Sequence, residues 1–129
     1  MSAFSKALGV SASGLKAQAY RLQIVSENVA NTDTPGYRRK TITFKSEVER
    51  SGLPKVAVDA VKLDRREGER IFEPGHPLAD KDGHYIGSNV DLVIEIADAR
   101  EAQRSYEANL KMFDQSRQMS SGLMDLLRK

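Results

Sequence analysis

The feature that most constrains this chain is a pair of amphipathic segments, one at each end. In the first segment apolar side chains recur every seven residues, at Leu8, Leu15, Leu22 and Val29, with Val25 at the intermediate position. Heptad spacing puts these side chains on one face of a helix, as in the seam of a bundle. Small side chains crowd the first half of the segment, so another helix could approach closely there.

The second amphipathic segment lies after Pro77, where no further proline interrupts a helix. Its apolar stripe includes Tyr106, Leu110, Phe113, Leu123 and Leu127. We expect Asn89 or Asp91 to cap this helix, because their side-chain oxygens accept amide hydrogens of a first turn.

The length of the second helix decides where its stripe must be buried. From about residue 90 to 128 it spans about 60 Å at 1.5 Å per residue. A compact domain of this size is only about 36 Å across. We therefore expect the helix to extend past any globule and to bury its stripe on another molecule, since large exposed apolar patches are rare on monomers. The alternative is a break at residues 120–122, where glycine weakens a helix.

Composition narrows the function without specifying it. The chain has 129 residues, a net charge of +2 and no cysteine. This length suits a single domain. A net charge close to zero argues against nucleic acid as an obligate partner, and the lack of cysteine excludes disulfides and thiol chemistry. No stretch is apolar enough for a membrane span or a cleavable secretory signal. If the protein leaves its cytoplasm, another export route must carry it.

The middle of the chain reads as a turn followed by short strands. Residues 31–36 end the first helix, and Pro35-Gly36 is a type II turn signal. We interpret Asn28 and Asn31 as helix-stop residues, because Asn tolerates left-handed angles. A strand pattern follows at residues 41–44. Residues 56–63 suggest one or two short strands, and residues 71–72 and 85–86 suggest two more, which predicts a small sheet packed on the helices or on a neighbour.

The polar clusters of the chain do not predict an active site. His76, His84, Asp80 and Asp82 lack the ligand number and spacing of a zinc or calcium site, so turn chemistry is the better interpretation. We find no catalytic set, no phosphate loop and no cofactor site, and expect no enzyme.

Three consecutive basic residues, 38–40, form the other candidate site. Without interleaved aromatic residues they are weak evidence for nucleic acid. A solvated strand edge is one interpretation. In an assembly the cluster could instead meet an acidic neighbour, for which Glu95, Asp98 and Glu101 are candidates by charge alone.

Two motifs carry a family resemblance. Residues 26–39, which include Asn-Thr-Asp-Thr-Pro-Gly-Tyr at the end of an amphipathic helix, resemble the signature of bacterial flagellar rod, hook and junction proteins. Residues 89–96 and the run from Arg104 to Asn109 resemble the C-terminal helix of that family. The short middle, with His76-Pro77-Leu-Ala-Asp80, resembles a proximal rod subunit that carries this run, whereas distal rod and hook proteins have larger central domains.

The resemblance implies a structural subunit of the periplasmic rod, which joins the motor's membrane ring to the hook. It implies assembly with itself and with proximal and distal rod subunits around an export channel. It also implies contacts with the membrane ring and export gate, and passage through the type III export apparatus without a cleaved signal. No nucleic acid or small-molecule substrate is expected. The alternative function is a soluble helical adaptor or chaperone that binds partner helices in a discrete complex.

The expected fold is mainly α with a small β region. Long N- and C-terminal amphipathic helices, residues 1–31 and 89–129, pack coaxially, and residues 32–88 form a short central β-rich segment. In the free protein we expect the ends to be largely unfolded and to gain helix on assembly. The expected assembly interface comprises Leu8, Leu15, Leu22, Val25, Asn28, Val29, Asn31, Pro35, Gly36, Tyr37, Arg38, Tyr106, Asn109, Leu110, Phe113, Leu123 and Leu127.

Overall fold

Two long helices dominate the computed structural model, which describes residues 3–128. Helix α1 spans Ala3–Ala30 and helix α2 spans Leu92–Arg128. The mainly α fold with a small β part is therefore confirmed. The extreme residues of the expected segments, 1, 2 and 129, lie outside the described part of the chain. Helix α2 continues unbroken through residues 120–122, so the alternative of a break there was wrong.

The cap of α2 is one of the two residues expected. The amide of Val93 donates to Oδ1 of Asp91 at 3.0 Å. Asn89 has a different role, described below.

The two helices lie side by side and antiparallel. Asn28 of α1 contacts Glu95 of α2. Further back along α1, Arg21 contacts Asp98, and Gly14 faces Asn109. Continued at the same rise, the start of α1 lies opposite about residue 120 of α2. Residues 121–128 of α2 therefore extend past α1, and all of them are exposed. We call residues 121–128 the overhang.

The two helices lie close together but bury few large apolar side chains between them. A Cβ on Gly14 would lie 2.8 Å from Oδ1 of Asn109, so only glycine fits the present spacing. The buried apolar side chains of the described residues are Ala17, Ile24, Val25 and Ala102. Only two of these are large, and a fully buried side chain of that size contributes about 1.5–3 kcal/mol. The helix pair is thus thinly stabilised by its own core.

A β-hairpin packs along α1. Strand β1 (Lys40–Val48) pairs antiparallel with β2 (Pro54–Leu63), with a register shift between Thr43 and Phe44. The amide of Val56 donates to Oγ of Ser13 at 2.9 Å, which fixes β2 to the helix.

A second, separate hairpin precedes α2. Strand β3 (Arg70–Phe72) pairs antiparallel with β4 (His84–Ile86). Strands were expected in all four regions, and residues 56–63, for which one or two strands were expected, lie in one. The expectation of a single small sheet was wrong, because the strands form two sheets of two strands each. The loop between β3 and β4 forms hydrogen bonds of its own, such as the one from the amide of His76 to the carbonyl of Glu73 at 3.0 Å.

Candidate assembly surface and its polar junction

The end of α1 is a turn of the expected type. The amide of Tyr37 donates to the carbonyl of Thr34 at 3.1 Å, and Gly36 has φ of 74°. Positive φ at the third position, after a proline, defines a type II turn. The amide of Gly36 also donates to the carbonyl of Ile86 at 3.1 Å, so the turn is fixed to β4.

Asn28 and Asn31, at this end of α1, do not adopt the left-handed backbone angles that were expected of them. No non-glycine residue among residues 3–128 has positive φ, so the left-handed role was wrong. Asn31 instead donates from Nδ2 to the carbonyl of Glu27 at 2.9 Å, and its Oδ1 accepts from the hydroxyl of Thr34 at 3.0 Å. It satisfies groups that the end of the helix leaves free.

Asn28 lies where the two helices, the turn and β1 meet, and its side chain is buried, with 1% exposed. Its Oδ1 accepts from the Tyr37 hydroxyl and from the amide of Lys40, both at 2.9 Å. Its Nδ2 donates to the carbonyl of Lys40 at 2.9 Å and to Oε2 of Glu95 at 3.2 Å. An amide side chain has two donors and two acceptor sites, and all four are used here. One side chain thus joins α1, the turn, β1 and α2.

Glu95 fixes α2 to the same point and is 0% exposed. One carboxylate oxygen accepts from Asn28, and the other accepts from Nε of Arg39. A buried charge is tolerated when it is paired and hydrogen-bonded, and removing one partner of such a pair costs about 3–5 kcal/mol. Glu95 therefore specifies how α2 sits on α1 and β1.

Asn89 completes the attachment just before α2. Its Oδ1 accepts from the amide of Arg39 at 2.5 Å, and its Nδ2 donates to the carbonyl of Arg66 at 2.8 Å. Burial raises the pKa of the Tyr37 hydroxyl, which therefore stays protonated and continues to donate to Asn28. We call Asn28, Tyr37, Arg39, Asn89 and Glu95 the polar junction.

The basic cluster is largely engaged within the chain. Arg38 donates from Nη1 to the carbonyls of Arg65 and Arg66, at 2.7 and 3.2 Å. Lys40 contacts Glu27 at 2.8 Å, and this hydrogen bond raises the pKa of the lysine.

The acidic residues proposed to meet that cluster from a neighbour also have partners in the same chain. Glu95 pairs with Arg39, whereas Asp98 and Glu101 pair with Arg21. Of these three candidates, Glu95 therefore meets the basic cluster, within the chain and through Arg39, whereas Asp98 and Glu101 pair with a residue outside the cluster. Burial is the largest single effect and opposes the charge of Arg21, but the hydrogen bond to Asp98 and the attraction of Asp98 and Glu101 together outweigh it and raise the pKa of Arg21.

Only some of the apolar residues expected at the assembly interface are buried within the chain. Val25 is buried and the leucines 8, 15 and 22 are half-buried, whereas Val29 is exposed. The contacts of α1 with α2 include small and polar residues, since Gly14 faces Asn109, Arg21 pairs with Asp98 and Asn28 binds Glu95. On α2, residues 106, 109 and 113 are half-buried, and Leu110, Leu123 and Leu127 are exposed.

The structure therefore brings together only part of the expected site. Asn28 and Tyr37 meet in the polar junction, and Asn31, Pro35 and Gly36 border it. The leucines of the overhang lie at the far end of the molecule. Arg39, Asn89 and Glu95 were not among the expected interface residues. A signal for Glu95 was available, since it is a charge at helical spacing from Ala102, on the face that packs.

The histidine and aspartate run is a structured loop. Oδ1 of Asp80 accepts from the amides of Asp82 and His84, at 2.9 and 3.0 Å. The hydrogen bond from the backbone amide of His84 lowers the pKa of the Asp80 carboxyl, and burial opposes this with a smaller effect. His76 stacks on Tyr85 with ring centroids 3.9 Å apart. The expected turn chemistry is confirmed.

A groove lies between α1 and the outer edge of β2, with a volume of about 470 Å³. Its walls include Lys16, Tyr20, Lys55, Val56 and Val58. It is open to solvent and contains none of the polar junction. Within residues 3–128 no helix has the length and apolar character needed to cross a membrane.

Two family models match the chain at the elements that carry the junction. The model described as flagella basal body rod protein matches residues 8–38, which contain Asn28 and Tyr37. The model described as flagellar basal body rod FlgEFG protein C-terminal matches residues 82–126, which contain Asn89 and Glu95. The two matched regions are the ones that α1 and α2 occupy.

Relatives align over most of the chain and carry one name, flagellar basal-body rod protein FlgC. The Agrobacterium fabrum protein is 45% identical, covering 99% of this chain and 98% of the relative. The Salmonella typhimurium protein is 33% identical, covering 85% and 87%. The Borreliella burgdorferi protein is 30% identical, covering 94% and 95%.

Proposed function

This chain belongs to the family of flagellar basal-body rod proteins, and from that membership we propose how its helices serve the rod of which it is a structural subunit. Residues 1–31 and 89–129 form the wall around the central export channel, and residues 32–88 lie on the outside. The observation that carries this proposal is the polar junction. It fixes α2 to α1 through a fully bonded Asn28 and a buried Glu95, while apolar side chains of both helices stay exposed.

Those exposed side chains supply the contacts between subunits. The chain assembles helically with itself and with related proximal and distal rod proteins. The contacts are made by the seam of α1, by the turn and by the exposed leucines of α2, which are Leu110, Leu123 and Leu127. Contacts between different surfaces of successive subunits generate an open helical array. The rod formed in this way transmits torque as a driveshaft, because each junction holds its two helices in one relative position.

The proposal also covers the export route, the compartment and the neighbours of the protein. It is exported without a cleaved signal through the type III apparatus and assembles in the periplasm, next to the motor membrane ring and the export gate. Its role is mechanical, without catalysis or a cofactor. This is supported by the engagement of its buried charges with each other, since Glu95 is bound by Arg39 and Asn28.

The test is electron microscopy of basal bodies from cells that lack the gene and carry either the native chain or a variant. We expect Leu110→Glu, at an exposed position of α2, to leave the yield and the circular dichroism spectrum of the purified protein unchanged but to prevent rod formation. Gln118→Glu, an exposed position of the same helix, is the matched control and should support normal rods. A protein that acts as a soluble adaptor would be absent from purified rods even when rods form, and that result would overturn the proposal.

A further inference from the structure

Three contacts between α1 and α2 lie at equal intervals along the helices. On α1 they are made by Gly14, Arg21 and Asn28, which are seven residues apart. On α2, Glu95 meets Asn28 and Asn109 meets Gly14, so the outer contacts are two heptads apart on both helices. A heptad seam offers similar contacts after a shift of seven residues, so its spacing alone does not fix where the partner helix lies along it.

Packing in this seam would tolerate a shift of α2 by one heptad in one direction. That shift would put Ser116 opposite Gly14, where Asn109 now lies, and the smaller side chain would still allow the helices to approach closely. The opposite shift would leave Asn28 beyond the start of α2 at Leu92, so the end of α1 would lose its partner helix. One alternative register therefore competes with the present one on packing grounds.

Arg21 distinguishes the two registers. Its Nη2 contacts Oδ1 of Asp98 and lies 3.4 Å from Oε2 of Glu101. The side chain of Arg21 is 16% exposed and that of Asp98 is 25% exposed, so solvent reaches the pair only in part. After the shift, Ser105 and Ala108 would take the places of the two carboxylates. A mostly buried guanidinium would then lack an anion, which is strongly unfavourable.

No other carboxylate of α2 would replace the lost partners. Residues 105–109 would lie at the level of Arg21 after the shift, and Glu107 is the acidic residue among them. It would occupy the present position of Arg100, two residues after Asp98. At about 100° per residue, that position lies on the opposite side of the helix from Asp98. Arg21 therefore has a carboxylate partner on α2 only in the present register.

We infer that Arg21 is a specificity-determining residue of the helix pair, because its contact with Asp98 and Glu101 selects the register in which α2 packs on α1. The polar junction fixes α2 at the end of α1, and Arg21 fixes it again one heptad farther along. One polar contact in a permissive seam is enough to specify a register. The inference rests on the proposed function, since it names a residue that positions the two helices of the rod wall.

Disulfide reporters in purified rods test this inference, because the native chain has no cysteine. The first reporter, Ala7→Cys with Ser116→Cys, lies one heptad beyond Gly14 and Asn109 and should bridge in the present register. The second, Ala7→Cys with Leu123→Cys, bridges only after the shift, since its positions are now about 10 Å apart along the axis. Bridged chains that remain monomeric on a non-reducing gel are counted, which leaves out links between subunits.

Each reporter is then combined with Arg21→Leu and Asp98→Leu together. Replacing both members of a mostly buried ion pair by apolar residues costs little stability, so the helices should still pair. The second reporter, silent in the native background, should now bridge alongside the first. Asp114→Leu with Arg117→Leu makes the same changes at an exposed pair of α2 and should leave the second reporter silent. The reversed pair, Arg21→Glu with Asp98→Arg, should restore the single register, because Glu101 is 71% exposed and can turn to solvent.

The outcomes separate a role in register from a role in packing. Bridging of the second reporter in the native background, or its silence in the double leucine variant, would overturn the inference. If the double leucine variant forms no rods, the reversed pair decides. Restored rods with the first reporter bridged support the inference, and continued absence of rods overturns it. If rods form without the native chain that carries a reporter, the proposed function fails instead.

Discussion

Asn28 binds both backbone groups of Lys40, accepting from its amide and donating to its carbonyl, each at 2.9 Å. Lys40 is the first residue of β1, and it lies opposite Leu63 in the hairpin. The side chain of Asn28 therefore acts as a strand partner for the other edge of Lys40. The link sets the angle at which the chain leaves α1 and begins the hairpin.

Replacement of Asn28 should be far more costly than replacement of Asn31. Asn28→Leu keeps the side-chain size but leaves the Lys40 backbone groups, the Tyr37 hydroxyl and Glu95 short of a partner. Unsatisfied buried groups cost about 1–3 kcal/mol each, so we expect a loss of about 3 kcal/mol or more. Asn31→Leu, in the partly exposed turn, should cost about 1 kcal/mol. Urea unfolding measures both, and equal losses would contradict the role of Asn28.

The spacing of the two helices predicts different effects for two glycine substitutions in α1. Gly9→Ala meets nothing within 4 Å and should stabilise α1 by about 0.5–1 kcal/mol, because alanine favours a helix. Gly14→Ala should bring no such gain, since its Cβ would lie 2.8 Å from Oδ1 of Asn109. Asn109→Ala should restore the gain. The helix content of four variants (Gly9→Ala, Gly14→Ala, Asn109→Ala, and Gly14→Ala with Asn109→Ala), measured by circular dichroism, tests this. A full gain from Gly14→Ala alone would be evidence against close helix approach.

Acid should loosen the loop between β3 and β4. The amide of His84, followed by that of Asp82, lowers the pKa of Asp80 below its usual 3.8. A depressed carboxyl pKa stabilises the loop above the usual pKa, and this contribution disappears as the pH falls through the lowered value. We expect the amide proton shifts of residues 82 and 84 to titrate with a midpoint below 3.8. In Asp80→Asn this titration should be absent, and a midpoint above 3.8 in the native chain would refute the assignment.

The sequence predicted the elements of this fold better than the contacts between them. Periodicity found both helices, and the Pro35-Gly36 pair marked the turn, because these signals are local. The polar junction was only half visible, since Glu95 and Arg39 meet through a helix pairing that no local pattern encodes. The heptad spacing of Leu8, Leu15 and Leu22 predicted that these leucines form the helix-packing face. Small residues allow α2 to approach on a neighbouring face, so the leucines remain at the side.

The free chain should be less helical than the assembled one. Its helix pair has a small apolar core, and residues 121–128 are all exposed. We therefore expect circular dichroism of the purified protein to show ends that are largely unfolded, with helix content rising on assembly. Two fully formed terminal helices that melt cooperatively in the free protein would contradict this expectation.

A density map of the intact basal body tests the central claim most directly. We predict that the rod wall contains α1 and α2 of this chain side by side, joined at Asn28 and Glu95, with the overhang seated on another subunit. A map in which α2 lies apart from α1 of its own chain, or in which the chain is missing from the rod wall, would contradict the account.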